Sequence, residues 1–295
     1  MRDHGVHEAV MVEQVITNLI ADKKGNYVDC TFGLGGHASA ILKKLYSEAK
    51  LTGIDRDPES LLKANEILEK DKRFSFINDK FSNIQNHFDP KSLDGILVDL
   101  GISSNQLDTP ERGFSFQLKG PLDMRMSQSD KVSAETWINE STKEEIAKVL
   151  WEIGEERHSR KISESICRER DLNPINTTQR LSEIIIASKP KRSKKHPATN
   201  IFRAIRMEVN SELQELQSLL ISAGKLLKEG GRLAVISFHS LEDRIVKRFV
   251  QGKSLDGQNF SFMKVGPKHF KPNLDEVTRN PRSRSAILRV VEKVA

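Results

Sequence analysis

Apolar residues recur at helical spacing at Val12, Val15, Ile16, Leu19 and Ile20, which predicts an opening helix. After Gly25 the pattern changes to a short apolar run, Tyr27 to Cys30, then a Gly-rich turn, then a helical stretch to about Tyr46. The unit repeats: Leu51 to Ile54 leads into Asp55, and Pro58 opens a helix to about Glu69. Arg73–Ile77 and Gly95–Asp99 are a third and a fourth strand. Strands alternating with helices of about 10–15 residues predict βαβ units and a parallel sheet.

From about Asp108 to Met207 that rhythm stops, and no stretch reads as a strand. Gly113–Met126 is loop-like. Thr142 and Glu145 have capping-box spacing ahead of Ile146, Val149 and Leu150. Helices are predicted near Glu155–Arg170 and Thr178–Ala187. A single long helix is predicted through Ile205, Val209, Leu213, Leu216, Leu220 and Leu227, stopped by Gly230 and Gly231. Alternation then resumes with a strand at Arg232–Ser237. A helix follows at Leu241–Val250, capped by Ser240, and two last strands lie at Phe260–Val265 and Ser285–Val291. The expectation is an α/β fold: a Rossmann-like seven-stranded core, residues 1–107 and 208–295, with an inserted all-helical domain at 108–207.

Composition narrows the class. At 295 residues the chain has room for about two domains. With 37% hydrophobic and 30% charged residues it can bury a sizeable core, and disordered or collagen-like readings fail. No apolar run approaches the roughly 20 residues that cross a bilayer. Asp3, His4, His7 and Glu8 stand where an export signal needs apolar residues, so a cytoplasmic protein without a membrane partner is expected. Cys30 and Cys167 supply neither a disulfide framework nor a zinc site, and each reads as a small buried apolar residue. The net charge of +6 suggests a polyanionic partner.

The candidate chemistry begins at Asp29 to His37, between a strand and a helix. Gly33, Gly35 and Gly36 permit a sharp turn and a close ligand approach. About 20 residues on, Asp55 ends the next strand, where a carboxylate can take both hydroxyls of a ribose. A dinucleotide-binding turn wants G-x-G-x-x-G, and here the third glycine is out of place. S-adenosylmethionine (SAM) has no phosphate and carries cationic groups, which favour an acid near the first strand; Asp29 supplies one. The strand ending at Asp99 and the loop Leu100–Gln106 should face the ligand crevice at the strand ends. Asp99, Ser103 and Ser104 are candidates for orienting an acceptor amine, although Asp99 tying down the turn is the simpler structural reading. The Asp/Asn-Pro-Pro-aromatic sequence of many base amino-methyltransferases is absent here.

Seven segments carry a resemblance. They are Thr31–His37, Gly95–Ser104, Gly113–Phe116, Gly120–Met126, His196–Thr199, Val209–Leu213 and Ile236–Lys247. In this order they resemble the bacterial ribosomal small subunit methyltransferase H (MraW-type) family across nearly the whole chain. The resemblance implies SAM-dependent N4-methylation of a cytidine in 16S ribosomal RNA near the decoding P site. It also implies a seven-stranded methyltransferase core with a helical insertion. Cofactor positions then fall on Gly35, Gly36, His37, Asp55, Phe81, Asp99 and Gln106, Phe81 being the loosest match. The partner is 16S rRNA or the small ribosomal subunit, and homodimerisation stays open. Two other readings share these features: a non-catalytic RNA-binding or assembly protein on a methyltransferase scaffold, and an NAD-linked oxidoreductase, disfavoured by the glycine spacing.

Lys189–Arg206 holds seven lysines and arginines and no acid. A charge run is often a solvated face, but Pro190, His196, Pro197 and Phe202 lie within this one, so RNA contact is expected through Lys194, Lys195, His196, Arg203 and Arg206. Arg279, Arg282 and Arg284 extend the basic track. His4 and His7 lack carboxylate company, so no metal is expected. His239, with Glu242 and Asp243, reads as a capped strand-to-helix turn. Trp137 and Trp151 read as core.

Overall fold

A computed structural model describes residues 9–189, 196–253 and 255–294. Among them, seven strands form one sheet, as the strand count predicted. The chain divides into two compact units. One comprises the chain up to Gly101 together with Leu213 onwards; the other is Ile102–Glu212.

The first unit opens with α1 (Val12–Leu19), β1 (Asn26–Asp29), α2 (Gly36–Leu42), β2 (Lys50–Ile54), α3 (Ser60–Leu68), β3 (Phe74–Ile77) and β4 (Leu93–Asp99). The second unit carries α4 (Ser104–Asp108), α5 (Ala134–Glu140), α6 (Lys143–Glu152), α7 (Ser159–Leu172), α8 (Thr178–Ser188) and α9 (Thr199–Val209). Then α10 (Glu212–Leu226) leads back to β5 (Leu227–Ser237), α11 (Ser240–Val250), β6 (Phe262–Lys264), α12 (Leu274–Arg279) and β7 (Ile287–Lys293).

The sheet order is β3-β2-β1-β4-β5-β7-β6. The first five strands are parallel, and β7 is antiparallel to both β5 and β6. This is the doubly wound order altered at one edge, with the last strand slotted between β5 and β6. The order reverses between β1 and β4, so the ligand crevice belongs outside their carboxyl ends.

Period-two alternation buries both faces. Tyr27, Leu97, Ala234, Ile236 and Leu288 face a core built with Val15 and Leu19 of α1 and Ile41 and Leu42 of α2. Their neighbours Val28, Ile96, Val98, Leu233 and Val235 face Leu216, Leu219 and Leu220 of α10 and Phe249 of α11. The second unit has its own core, in which Ile138, Ile146, Leu150, Ile162, Leu181 and Ile205 are fully buried. Its named elements are helical, with one isolated bridge between Pro121 and Thr177. The capping box that opens α6 is present: Thr142 Oγ1 accepts the Glu145 N–H, and Glu145 Oε2 accepts the Thr142 N–H at 2.7 Å.

Several sequence expectations are corrected. The long helix through Ile205 and Leu227 is two helices, α9 and α10. They part at Asn210 and Ser211, and Ser211 takes a left-handed φ of 52°. Gly230 and Gly231 do not stop a helix; α10 ends at Leu226, and the glycines lie inside β5, where the pairing with β4 shifts register. The helix expected from Glu155 starts at Ser159, because Glu155 turns the chain at φ 49°. The helix expected to about Tyr46 ends at Leu42. The cap of α11 is His239, whose Nδ1 accepts the Leu241 N–H, while Ser240 is the first helical residue. Short α5 and α12, seven and six residues long, carry too few apolar repeats to show a period. Trp137 is half-buried against the helical core, but Trp151 is 59% exposed and lies outside it. No helix among the described residues is long and apolar enough to cross a membrane.

Candidate active site at the carboxyl ends of the strands

Three carboxylates, Asp29, Asp55 and Asp99, stand at or just past the ends of β1, β2 and β4. The Gly-rich turn laces these ends together. The Cys30 N–H donates to the Leu97 carbonyl, and the Phe32 N–H donates to the Ile54 carbonyl. Thr31 Oγ1 accepts the Asp99 N–H at 2.6 Å, and the Thr31 N–H in turn donates to Asp29 Oδ1. Thr31 lies within the Thr31–His37 segment, and nothing in its residue type signals this bridging role.

The glycines are needed where they stand. Gly35 sits at φ 73° as the residue before α2, a left-handed conformation that side chains resist. At Gly36 a Cβ would come within 2.8 Å of Ala9 Cβ. The turn therefore lies close against its own chain and opens α2 with free backbone N–H groups.

Asp55 is fixed on both oxygens: Oδ2 accepts the Gly33 N–H at 2.6 Å, and Oδ1 accepts the Asp57 N–H at 2.9 Å. The Ser60 side chain hydrogen-bonds the same carboxylate, and the acceptor capacity that these three donors leave can still receive a ribose hydroxyl. Burial pushes its pKa up, against the pull of those two N–H donors. Asp29 is completely buried, and burial pushes its pKa up to about 6, partly offset by His37 and by the Thr31 N–H.

His37, on the first turn of α2, is also buried. Its Nε2 lies 3.5 Å from Asp99 Oδ2, close enough for ionic attraction but too far for a well-formed hydrogen bond. Burial alone would lower the imidazole pKa; the carboxylates of Asp99, Asp29 and Glu276 outweigh it and raise the value. Glu276 is a participant the sequence did not reveal. It sits on α12 and accepts the Met11 N–H at 2.6 Å across 265 residues, and no local pattern marks such a contact.

Asp29 Oδ2, Asp99 Oδ1 and both His37 nitrogens are buried without a hydrogen-bond partner. Buried polar atoms are nearly always paired. A concentration of unpaired ones, with a carboxylate oxygen on each of Asp29 and Asp99, fits a ligand that brings positive charge to β1 and β4, with a ribose held at Asp55.

The other predicted positions fall as follows. Phe81 opens a short 3-10 turn, Phe81–Asn86, and packs half-buried against the core. Asp79 secures that turn by accepting from the Lys80 N–H, Asn83 Nδ2 and His87 Nε2. Ser103 and Gln106 belong to the second unit and form a capping box at α4: Ser103 Oγ accepts the Gln106 N–H, and Gln106 Oε1 accepts the Ser103 N–H. The Ser103 hydroxyl oxygen is therefore occupied as a helix cap. Ser104 is the first residue of that helix.

In the second unit the His196 ring stacks on Phe116, centroids 4.5 Å apart and planes within 10°. Arg203 lies half-buried on α9. Arg206 forms a two-pronged ion pair with Glu212 at 2.8 and 2.9 Å. Lys194 and Lys195, with Pro190, lie outside the described residues, as do His4 and His7. Arg279, Arg282 and Arg284 are exposed.

The family described as MraW methylase matches residues 4–294. A Ribosomal RNA small subunit methyltransferase H from Coxiella burnetii (strain RSA 493 / Nine Mile phase I) is 43% identical over 304 residues, covering 98% of this chain and 99% of that protein. The protein of that name from Idiomarina loihiensis is 44% identical over 307 residues, covering 98% and 97%. Among solved structures, an rRNA methylase from Streptococcus thermophilus aligns at a TM-score of 0.41 and 14% identity, covering 96% of this chain and 94% of that one.

Proposed function

Because this chain belongs to the MraW methylase family, we propose that it methylates 16S ribosomal RNA, using SAM, on N4 of a cytidine in the decoding P-site region. The observation that carries the reading is the set of carboxylates at the ends of β1, β2 and β4, with its unpartnered buried oxygens. SAM brings the electrophilic methyl group and the cationic charge that such a set favours.

The roles of the chain's own residues follow from their positions. Asp55, held rigid by the Gly33 and Asp57 N–H groups, receives a ribose hydroxyl. Gly35 and Gly36 let the turn fold tightly enough to offer its backbone to the cofactor, and Asp29 supplies negative charge beside it. Phe81, on its secured turn, offers an apolar surface for the adenine ring. His37 and Gln106 complete the cofactor positions.

Methyl transfer needs the acceptor lone pair aligned and water excluded more than it needs a strong base. An exocyclic amine shares its lone pair with the ring, and an acceptor for its N–H groups favours the reactive geometry. Asp99 is the best placed of the three amine-orienting candidates, since the Ser103 oxygen is engaged as a cap. Lys194, Lys195, His196 and Arg203 contact the RNA, in naked rRNA or in the small subunit. This substrate puts the protein in the cytoplasm.

Mass spectrometry of 16S rRNA from a deletion strain tests the reading. The decoding-site cytidine should lose its N4-methyl group and regain it with the wild-type chain, but not with Asp99→Ala. A cytidine that keeps the methyl in the deletion strain overturns the proposal. Calorimetry that detects no SAM binding would favour a non-catalytic RNA-binding role instead.

A further inference from the structure

An amine acceptor must lose a proton as well as gain a methyl, and that proton needs an acceptor. Asp99 closes β4 with its side chain 23% exposed, whereas His37 beside it is 5% exposed. The Asp99 Oδ1 atom is buried, so the exposed part is the remainder of the side chain. Asp99 is thus the more accessible member of the pair, and the buried imidazole lies beside it, its Nε2 3.5 Å from Asp99 Oδ2. A catalytic hydrogen bond is often this long in an unliganded site and tightens in the complex.

Resting on the amine-methylation reading above, we propose that Asp99 takes the proton shed by the acceptor nitrogen and passes it to His37. The nitrogen lone pair forms the N–C bond as the C–S bond breaks and leaves its electrons on sulfur. The nitrogen, now cationic, breaks one N–H bond, keeps that electron pair and gives the proton to Asp99 Oδ2. His37 Nε2 accepts it from the carboxylate, and water receives it when the product leaves. No oxidant or further reactant is needed.

The energetics suit the step. A cationic amine on an aromatic ring is a far stronger acid than a carboxylic acid, so a carboxylate can serve as the first acceptor. Asp99 is then the catalytic residue and His37 the positioning residue that acts through it. The charges acting on His37 are Asp99 on β4, Asp29 on β1 and Glu276 on α12. They raise its proton affinity against the cost of burial. His37 must be neutral to accept, so the relay works best above its own titration.

Two measurements on the full-length protein test this. In the first, NMR follows the His37 imidazole through a pH titration with no cofactor present. The midpoint should lie above that of an ordinary histidine and fall by about one unit or more in Asp99→Asn. A midpoint that does not move in Asp99→Asn overturns the pairing. In the second, single-turnover methylation is followed across pH at saturating SAM. The wild-type rate should fall as pH drops through the His37 midpoint. In His37→Gln the rate above that midpoint should be down about tenfold, and the acid limb should shift to lower pH. An acid limb kept at the wild-type midpoint in His37→Gln overturns the relay. If the wild-type chain methylates no RNA, the functional reading fails, while the NMR arm still reports on the Asp99–His37 pair.

Discussion

Asn210 holds Met126 by its backbone: Asn210 Oδ1 accepts the Met126 N–H at 2.8 Å, and Asn210 Nδ2 donates to the Met124 carbonyl at 2.8 Å. One side chain at the end of α9 thus stands in for a strand partner along the Gly120–Met126 loop, where Met124 takes a left-handed φ of 61°. Arg112, itself buried, donates to the Met126 carbonyl at 2.9 Å.

Removing that amide should cost the second unit stability. Asn210→Ala leaves the buried Met126 N–H without this acceptor, and an unsatisfied buried group costs about 1–3 kcal/mol. With the Met124 carbonyl also affected, a loss of about 2–4 kcal/mol is expected in urea unfolding followed by the fluorescence of Trp137 and Trp151. An unchanged midpoint would show that the loop is secured without Asn210.

Asp55 offers a cleaner separation of binding from folding. Asp55→Asn keeps an oxygen for one of the two N–H donors and removes the charge. SAM affinity should fall about tenfold or more, or about 1.4 kcal/mol, with RNA affinity unchanged. Asp55→Ala should act in the same direction and more strongly. Calorimetry and filter binding read the two separately. Equal loss of both would move the cofactor site elsewhere.

These residues also show how far the sequence could be read. Strands and crossovers were visible because alternation and glycine turns are local signals. The Asp29, Asp55 and Asp99 positions followed, since each acid sits at or just past a strand end. The α9–α10 break was hidden because Val209, Leu213 and Leu216 keep helical spacing through it. The break comes at Ser211, whose φ is 52°, beside Asn210, whose side chain binds residues more than 80 positions away. Ser240 reads as the cap because serine is the commoner capping residue, whereas the His239 ring takes that place. Glu276 reaches Met11 across almost the whole chain, a relationship that only the tertiary fold creates.

The buried Asp29 makes a pH prediction. Its pKa is pushed up from 3.8 to about 6, so the folded state holds a proton that the unfolded state has lost between those values. More protons bound to the folded state means that stability falls as pH rises through that window. Across about two units the ionised Asp29 costs the cofactor-free protein about 3 kcal/mol. His37 acts in the same sense: its raised pKa contributes stability below the ordinary histidine value, lost as pH climbs through the folded one. Asp29→Asn should therefore be about 1–3 kcal/mol more stable than wild type near pH 7 and no more stable near pH 4. It should also bind SAM more weakly, because the Asp29 charge attracts the cation. Urea titrations of both proteins across this range would refute the assignment if the difference did not depend on pH.

The basic stretch divides by what its members do. Arg206 is held by Glu212 in a pair whose side chains are 14% and 11% exposed. Arg206→Ala should lower stability by about 1–3 kcal/mol and leave the salt dependence of RNA binding as it is. Lys194 and Lys195 carry the phosphate-contact proposal instead. Each phosphate contact on single-stranded RNA contributes about 0.7 to the slope of log affinity against log salt, so replacing both with alanine should flatten it by about 1.4. Binding to a decoding-region RNA, measured at four or more salt concentrations, separates the two classes. A slope unmoved by the double substitution would return that stretch to a solvated face. A slope lowered by Arg206→Ala would mean that the ion pair opens to engage RNA.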